Sequence, residues 1–330
     1  MTRTYDVVGL GNAIVDVVAS VDDRFLLDHH IAKGAMTLID EFRARELLEH
    51  LPGGIEVAGG SAANTMAGLA SLGGKPFYIG KVHDDRLGAL FGESLRSLGV
   101  AFATPPATEG SPTASCLVAV TADGQRSMST YLGACRELTP HDVDPAEIAK
   151  AKALYIEGYL WDAEDAKIAS RKALTAARAA GTLTSFTLSD SFCVGRFRDD
   201  FLELMKTDLD LVFANEAEAK ALFEEEDWNA VLERAKAWGG LMAITRSEKG
   251  CVVVRGPEVQ GVPTTPAARL IDTTGAGDQF AAGFLYGLTH GKSLADCGRL
   301  GNLAAGEAIG HYGARPEVSL QKLAAEAGLI

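Results

Sequence analysis

The chain has 330 residues, of which 47% are hydrophobic and 23% are charged, the composition of an ordinary globular protein. Its net charge of −13 argues against nucleic acid and against an anionic membrane as partners, because no basic stretch offsets the negative charge. No apolar run approaches the length of a membrane span. The five cysteines are scattered without a Cys-X-X-Cys pair, so we expect a reduced, cytoplasmic protein without zinc knuckles or disulfides.

The N-terminal residues predict two strands joined by a glycine-containing turn. The apolar run at 5–10 is typical of a buried strand, and the β-branched run at 14–21 predicts a second one. The turn contains two glycines of a dinucleotide-binding fingerprint, but Ile14 stands at the third position and no helix follows, so we reject a Rossmann site. Asp16 interrupts the second strand, where an unpaired charge is costly. It is either a solvent-facing strand residue or a carboxylate that accepts hydrogen bonds from hydroxyl groups.

A second glycine-rich stretch, residues 57–64, precedes a helix predicted at 65–72. Its adjacent glycines allow the backbone to approach a ligand, and Asn64 can donate and accept hydrogen bonds at once. A simple N-cap turn accounts for the same residues, so the motif alone leaves two interpretations. Helices are also predicted at 41–50 and 86–98, where Pro and Gly residues end them.

The following segments predict first a hairpin and then a parallel sheet. Residues 113–121 and 125–131 flank Ala122-Asp123-Gly124, which is typical of a β-hairpin. From residue 153 onward, strands alternate with helices, which predicts a parallel sheet with helices on both faces. The predicted strands are 153–159, 184–189, 211–215, 241–246 and 251–254.

Asn215 and Glu218 stand where the third of these strands ends and a helix begins. The carboxyl ends of parallel strands are where α/β proteins bind their ligands. An N-cap Asn, with a Glu that favours the helix dipole, explains the two residues equally well.

The stretch Asp272-Thr273-Thr274-Gly275-Ala276-Gly277-Asp278, followed by an apolar helix at 279–288, carries the most specific chemistry. A loop of small residues that opens a helix directs unpaired N–H groups and the helix dipole at one point, which makes an anion site. Asp278, in the first turn beside that site, can take a proton from a hydroxyl that attacks phosphorus. Ordinary capping explains less, because Asp278 follows the glycines instead of occupying the cap.

The sequence DTTGAGDQFAAGFL resembles the C-terminal signature of the ribokinase-like (PfkB-type) carbohydrate kinases, and GNAIVD and VAGGSAAN resemble the family's N-terminal segments. The resemblance implies an α/β three-layer sandwich whose mostly parallel central sheet is flanked by helices, with a small β-sheet lid. The lid is expected from residues 14–58 and 111–132 within a single domain that spans 1–330. The implied activity is ATP-dependent phosphoryl transfer to an alcohol, with Mg²⁺ and, in some members, K⁺.

The resemblance also assigns roles to individual residues. The aspartate at the position of Asp278 is the catalytic base, the backbone of Gly275, Ala276 and Gly277 forms the anion hole, and Arg126 receives transition-state charge. The substrate is expected to contact Asn12, Ile14, Asp16, Leu38, Gly60, Ser61, Asn64, Leu132 and Tyr159. The nucleotide is expected at Asn215, Glu218, Thr245, Ser247, Gly250 and Asn302. Glu218 positions Mg²⁺ through water, and the candidate K⁺ site is bordered by Asp272, Thr274, Gly313 and Ala314.

Among family members, these segments look closest to the adenosine kinases, which implies a nucleoside substrate, adenosine first, phosphorylated at its 5′-hydroxyl. In that group Ile14, Leu38, Leu132 and Tyr159 fall at a base pocket, although Tyr159 is equally typical of a core aromatic. A kinase for a free ribose- or fructose-like sugar is the alternative, and a catalytically silent sugar- or nucleoside-binding regulator is a third interpretation.

Met66 and His83 depart from the family pattern. Met66 replaces a usually small residue, which we expect to alter helix packing, and His83 replaces a usual Gly, which we expect to change only a turn. A monomer or a homodimer formed through the lid is expected.

Overall fold

The computed structural model describes residues 3–264 and 269–330. Two sheets and the helices around them make up these parts of the chain. The strands are β1 Tyr5–Leu10, β2 Ile14–Ser20, β3 Met36–Leu38, β4 Ile55–Ala58, β5 Pro76–Ile79, β6 Ala101–Phe102, β7 Ala114–Val120, β8 Arg126–Tyr131, β9 Ala151–Glu157, β10 Leu183–Thr187, β11 Leu211–Asn215, β12 Leu241–Thr245, β13 Cys251–Arg255 and β14 Glu258–Val262. The helices are α1 Asp23–Asp28, α2 Glu41–His50, α3 Ser61–Ser71, α4 Arg86–Ser97, α5 Pro145–Ala149, α6 Glu164–Ala180, α7 Ser191–Thr207, α8 Glu216–Phe223, α9 Trp228–Trp238, α10 Ala276–Thr289, α11 Leu294–Ala308 and α12 Leu320–Glu326.

The large sheet has nine strands in the order β14-β13-β12-β11-β10-β9-β1-β5-β6. Neighbouring strands from β12 to β6 pair in parallel, so their carboxyl ends meet at one edge. Alternate residues of each strand enter two separate cores: Val8 and Ile156 pack beneath α6 and α7, while Val7 and Tyr155 pack beneath α3 and α10. The sheet is therefore covered on both faces, which confirms the predicted α/β class.

The second sheet has five strands in the order β3-β8-β7-β2-β4. After β1 the chain leaves the large sheet and enters β2 of the small one. The hairpin β7–β8 pairs with β2, and β2 and β7 are parallel. Its strands come from residues 14–58 and 114–131, so the sheet is discontinuous in the sequence.

Two predicted elements differ from the observed ones, and one observed strand was not predicted. The helix expected at 65–72 begins four residues earlier, at Ser61, because Gly60 with φ of 88° ends the preceding extended chain. Strand β13 is antiparallel to β12, not parallel, and β14, which was not predicted, extends the same meander. The segment between β12 and β13 is too short for the crossover that parallel pairing requires, and Gly250 with φ of 81° closes the turn.

Strand β1 accommodates the large side chain of Met66. Met66 is fully buried, and a Cβ on Gly9 would lie 2.8 Å from its Cγ, so β1 makes room for the larger side chain. The five cysteines are free and buried. Among the helices of the described residues, none is both long and apolar enough to span a bilayer.

Candidate active site

Gly275 caps the N-terminus of helix α10, and any other residue at this position would be strained. Gly275 has φ of 76°, and a Cβ there would lie 2.5 Å from the Cβ of Ala314. Gly277 and Asp278 follow in the first turn, whose N–H groups have no acceptor inside the helix. The positive end of the helix dipole adds to these donors, so the start of α10 is suited to bind an anion.

The Asp278 carboxylate is held by two side chains of α3. The Ser61 hydroxyl donates to its Oδ1 at 2.6 Å, and Nδ2 of Asn64 donates to its Oδ2 at 3.3 Å. Burial raises the pKa of Asp278 to about 6, although the hydrogen bonds from Ser61 and Asn64 oppose the rise. A half-buried carboxylate with this pKa is ionised at neutral pH and is a stronger base than a solvated one, as general-base catalysis requires.

The N-terminus of α3 is tied to the end of β1 by a buried glutamate. Glu157, the last residue of β9, accepts hydrogen bonds from the backbone N–H groups of Asn12 and Ala62, both at 2.8 Å. Gly60 packs closely against the same turn, since a Cβ on Gly60 would lie 2.3 Å from the carbonyl oxygen of Asn12. These contacts bring Asn12, Gly60 and Ser61 together at the carboxyl edge of the large sheet. Burial raises the pKa of Glu157 to about 7.

Asp16, on β2, belongs to the same cluster. A Cβ on Gly59 would lie 2.4 Å from its Oδ2, so the glycine leaves room for the carboxylate. Burial raises the pKa of Asp16 to about 6, while the charges of Arg126 and Arg315 oppose the rise. The negative charge of Asp278 adds to it. The polar residue that interrupts the predicted strand therefore faces the cluster around Asp278.

Arg126 connects the small sheet to the loop that precedes α10. From the first position of β8, its Nη1 donates to Oδ2 of Asp272 and, at 2.7 Å, to Oγ1 of Thr274. Asp272 also accepts from the backbone N–H groups of Thr274, at 3.0 Å, and Gly313, at 3.1 Å. Burial opposes a low pKa, but the hydrogen bond from the Thr274 hydroxyl at 2.7 Å, those from the two N–H groups and the Arg126 charge together lower the pKa of Asp272. Its carboxylate oxygens are thus engaged by protein donors.

The four residues predicted at a base pocket are spread over two parts of the fold. Ile14 begins β2, and Leu132 follows β8; both are half-buried. Leu38, on the outer strand β3, is 47% exposed, so it forms no enclosed wall in this conformation. Tyr159 lies in the turn after β9, where its hydroxyl donates to Oδ2 of Asp190 at 2.8 Å and its ring packs against the core beneath α6 and α7.

The residues predicted to bind nucleotide surround the carboxyl ends of β11 and β12. Thr245 ends β12, and Ser247 follows it in a left-handed conformation, with φ of 49°. A cavity of about 510 Å³ lies there, bordered by Asn215, Glu216, Ala217, Lys220, Thr245, Arg246, Ser247, Glu248 and Lys249. This volume is typical of small-molecule sites. Gly250 and Asn302 are not part of this lining but approach the same carbonyl group. A Cβ on Gly250 would lie 2.2 Å from the Val262 oxygen, and Asn302, on α11, donates to the carbonyls of Val262 and Pro263 at 3.1 and 3.2 Å.

Glu218 fits a water-mediated contact with Mg²⁺. Its Oε2 accepts from the backbone N–H of Asn215 at 2.9 Å, and its Oε1 accepts from Nδ2 of Asn215 at 2.6 Å. Each carboxylate oxygen has more than one lone pair, so acceptor capacity remains for a metal-bound water. Burial raises the pKa of Glu218 to about 7, and the nearby Asp190 and Asp278 add to the rise. A cation beside this group would favour its ionised form.

Sequence reasoning missed three residues of this site. Glu157 had a visible signal, because a carboxylate at the end of a buried apolar strand is costly unless it has partners. Gln279, fully buried, donates to the backbone carbonyls of Asn64 at 3.0 Å and Ala314 at 2.8 Å. Arg315 donates to Oδ1 of Asn64 at 3.1 Å. Neither of the last two has a spacing pattern that distinguishes it from an ordinary helix or loop residue.

Comparison with known proteins places this geometry in a family. Residues 37–320 match the model of the pfkB family carbohydrate kinases. The chain belongs to this family. Adenosine kinase from Sinorhizobium meliloti is 52% identical in its crystal structure, with a TM-score of 0.92 and coverage of 98% of this chain and 99% of that one. The crystal structure of a probable sugar kinase from Rhizobium etli CFN 42 is 49% identical, with a TM-score of 0.93 and full coverage of both chains. Adenosine kinase 1 of Arabidopsis thaliana is 28% identical, covering 92% of this chain and 94% of its own.

Family membership establishes the reaction class. This pfkB-family chain is a kinase that uses ATP as phosphoryl donor and a hydroxyl group of a small molecule as acceptor. The ribokinase-like resemblance and the fold class predicted from the sequence are both confirmed.

A second cavity, of about 610 Å³, lies between α7, α8 and α9 and is larger than the one at the ends of β11 and β12. None of the predicted site residues lines it.

Proposed function

We propose that the protein transfers the γ-phosphoryl group of ATP to the 5′-hydroxyl of a nucleoside, with adenosine as the leading substrate. The observation that carries the proposal is the 52% identity, over 98% of the chain, to the adenosine kinase of Sinorhizobium meliloti. The 28% identity to a plant adenosine kinase over nearly the full length supports the same substrate class.

In the proposed reaction, Asp278 accepts the proton of the attacking hydroxyl. Ser61 and Asn64 hold its carboxylate in place at 2.6 and 3.3 Å, so little reorganisation precedes proton transfer. Asp16, whose carboxylate faces the same cluster, accepts hydrogen bonds from the ribose hydroxyls, and Gly60 lets the backbone approach the sugar. The first-turn amides of α10 and the Arg126 guanidinium receive the negative charge that develops on the transferred group.

The donor set around the nucleotide cavity is consistent with ATP and Mg²⁺. We assign Asn215, Thr245, Ser247, Gly250 and Asn302 to the nucleotide and Glu218 to the hydration shell of the metal. Bound Mg²⁺ would supply neutralisation of phosphate charge. A monovalent cation at the 272–274 and 313–314 loops would be held by main-chain carbonyls, because protein donors already engage the Asp272 carboxylate.

We also propose that the small sheet acts as a lid. It carries Asp16 on β2 and Arg126 on β8, which lie near Asp278 and the 272–274 loop. Closure of this sheet over the substrate would exclude water and complete the charge-stabilising group. Ile14, Leu38, Leu132 and Tyr159 would form the wall of a base pocket only in that closed form, because Leu38 is 47% exposed here.

A free-sugar kinase is the second candidate. It is favoured by the 49% identity to the Rhizobium etli protein described as a probable sugar kinase. The two candidates differ in what recognises the substrate, since a sugar offers only hydroxyls whereas a nucleoside adds a flat apolar base.

A substrate panel separates these candidates. The purified protein is assayed with ATP and Mg²⁺ against adenosine, guanosine, cytidine, ribose and fructose, with phosphorylated product measured directly. Burial of a base contributes about 1–3 kcal/mol per stacking contact. We therefore expect kcat/KM for adenosine to exceed that for ribose by at least about tenfold. A higher value for ribose or fructose would replace the nucleoside proposal with the sugar-kinase one.

A further inference from the structure

The loop after α11 inserts an arginine beneath the N-terminus of α3. Nε of Arg315 donates to Oδ1 of Asn64 at 3.1 Å, and Nη1 donates to Oγ of Ser94 on α4 at 2.9 Å. The remaining nitrogen, Nη2, is buried and has no hydrogen-bond partner. Within residues 3–264 and 269–330, no carboxylate lies within ion-pair distance of this guanidinium. A guanidinium nitrogen that is buried without a hydrogen-bond partner is costly to fold, so a purely structural role explains this arginine poorly.

The hydrogen bonds of Asn64 connect this arginine to the catalytic aspartate. The amide oxygen of Asn64 faces Arg315, and the amide nitrogen faces Oδ2 of Asp278. An asparagine amide has its acceptor and its donors on opposite sides, so a donor that occupies Oδ1 fixes the side toward which Nδ2 points. If the amide turned over, its oxygen would face the Asp278 carboxylate, which is repulsive.

Two hydrogen bonds hold the backbone just before Arg315. The backbone N–H of Gly313 donates to Oδ2 of Asp272 at 3.1 Å, and the carbonyl of Ala314 accepts from Nε2 of Gln279 at 2.8 Å. Gln279 also donates to the carbonyl of Asn64 at 3.0 Å. Asp272, Gln279 and Asn64 thus position the backbone from which the Arg315 side chain extends.

Charges surround Asp278 from several elements. The carboxylates of Asp16 on β2, Glu157 on β9 and Glu218 on α8 interact electrostatically with Asp278, and so do the hydroxyl groups of Tyr155 and Tyr159. Two guanidinium groups oppose this negative charge at Asp16, those of Arg126 and Arg315. Burial lowers the pKa of Arg315 to about 10, so it remains a cation at neutral pH.

We propose that Arg315 is a positioning residue for phosphoryl transfer: it holds the Asn64 amide with Nδ2 toward Asp278. The proposal rests on the role of Asp278 as base, given above. This role needs a hydrogen-bond donor at the Nε position and does not need a charge.

Three substitutions separate donor from charge. In Arg315→Gln, the amide nitrogen lies as many bonds from Cα as Nε does, so the donor stays and the charge is lost. In Arg315→Lys, the charge stays and the donor at that position is lost. Arg315→Met has neither. For each variant, kcat and kcat/KM are measured from pH 5 to about 9, together with the melting temperature and the dissociation constant of ATP.

The expected results differ between the variants. Loss of the donor in the Lys and Met variants lowers kcat about tenfold and moves its acidic limb to higher pH, since Asp278 loses an oriented hydrogen bond. Arg315→Gln keeps the donor without the charge, so it should restore most of the kcat that Arg315→Met loses. Ser94→Ala, which removes the other hydrogen bond of Arg315, is the matched control and should change both constants less than about threefold.

The proposal is overturned if the Gln and Lys variants share one pH profile, or if all three lose melting temperature and ATP affinity while kcat of the folded fraction stays at the wild-type value. Should Arg315→Met not fold, the comparison of Gln with Lys decides. Asp278→Asn is assayed in parallel. If it stays active, the proposed role of Asp278 fails; if it is inactive while the Arg315 variants behave as wild type, only the present inference fails.

Discussion

The Ser61 hydroxyl donates a hydrogen bond of 2.6 Å to Oδ1 of Asp278, although 217 positions separate the two residues in the chain. Ser61 is the first residue of α3, and Asp278 lies in the first turn of α10, so the contact joins two helix N-termini. Both helices pack on the same face of the large sheet. The contact connects the region assigned to the sugar with the region assigned to the phosphoryl group.

Replacing Ser61 tests how this contact tunes the base. Burial raises the pKa of Asp278 to about 6, and the Ser61 hydrogen bond opposes that rise by favouring the ionised form. The ionised form is the active one, so wild-type kcat should fall as the pH drops through about 6. In Ser61→Ala we expect the pKa of Asp278 to rise further, so that kcat begins to fall at a higher pH. The plateau value of kcat should also drop, about three- to tenfold. Ser97→Ala, on the exposed end of α4, serves as the control. If Ser61→Ala left the acidic limb of the kcat profile unchanged, the assignment of that limb to Asp278 would be contradicted.

Arg126→Met removes the guanidinium that joins β8 to Asp272 and Thr274. If this charge stabilises the transition state, kcat should fall roughly 10²-fold or more, while KM for the acceptor changes little. Steady-state kinetics with saturating ATP measure both constants. Arg136→Met, an exposed arginine just beyond β8, is the matched control. A kcat within about threefold of wild type would place Arg126 outside the mechanism.

Tyr159 tests the predicted base pocket. We expect Tyr159→Ala to lower kcat/KM for adenosine about tenfold while leaving that for ribose nearly unchanged, because only the nucleoside reaches the ring. Tyr159→Phe keeps the ring and removes the 2.8 Å hydrogen bond to Asp190, so it should retain nucleoside activity. Equal losses for adenosine and ribose in Tyr159→Ala would assign the ring to the core alone.

The fold was predictable because its signals are local. The alternating strands and helices from residue 153 and the hairpin around Asp123 both appear in the structure. The antiparallel β13 was missed because its pairing depends on the length of the segment after β12 and on Gly250, whereas its composition resembles that of a parallel strand. Composition and spacing predict strands better than their direction.

The site was only partly predictable for a different reason. The 272–278 stretch contains its own chemistry, so Asp278 stands out in the sequence. Glu157 and Arg315 acquire their importance from partners far away in the chain: Glu157 from the N–H groups of Asn12 and Ala62, and Arg315 from the amide of Asn64. Such long-range contacts leave no periodic pattern from which they can be inferred.

The measurement that tests the central claim most directly is kcat of Asp278→Asn, with ATP and acceptor binding measured on the same protein. The amide has nearly the shape of the carboxylate but is not a base. We expect both dissociation constants to stay near their wild-type values while kcat falls by about two to four orders of magnitude. A variant that binds both substrates and retains roughly a quarter of wild-type kcat would contradict general-base catalysis by Asp278.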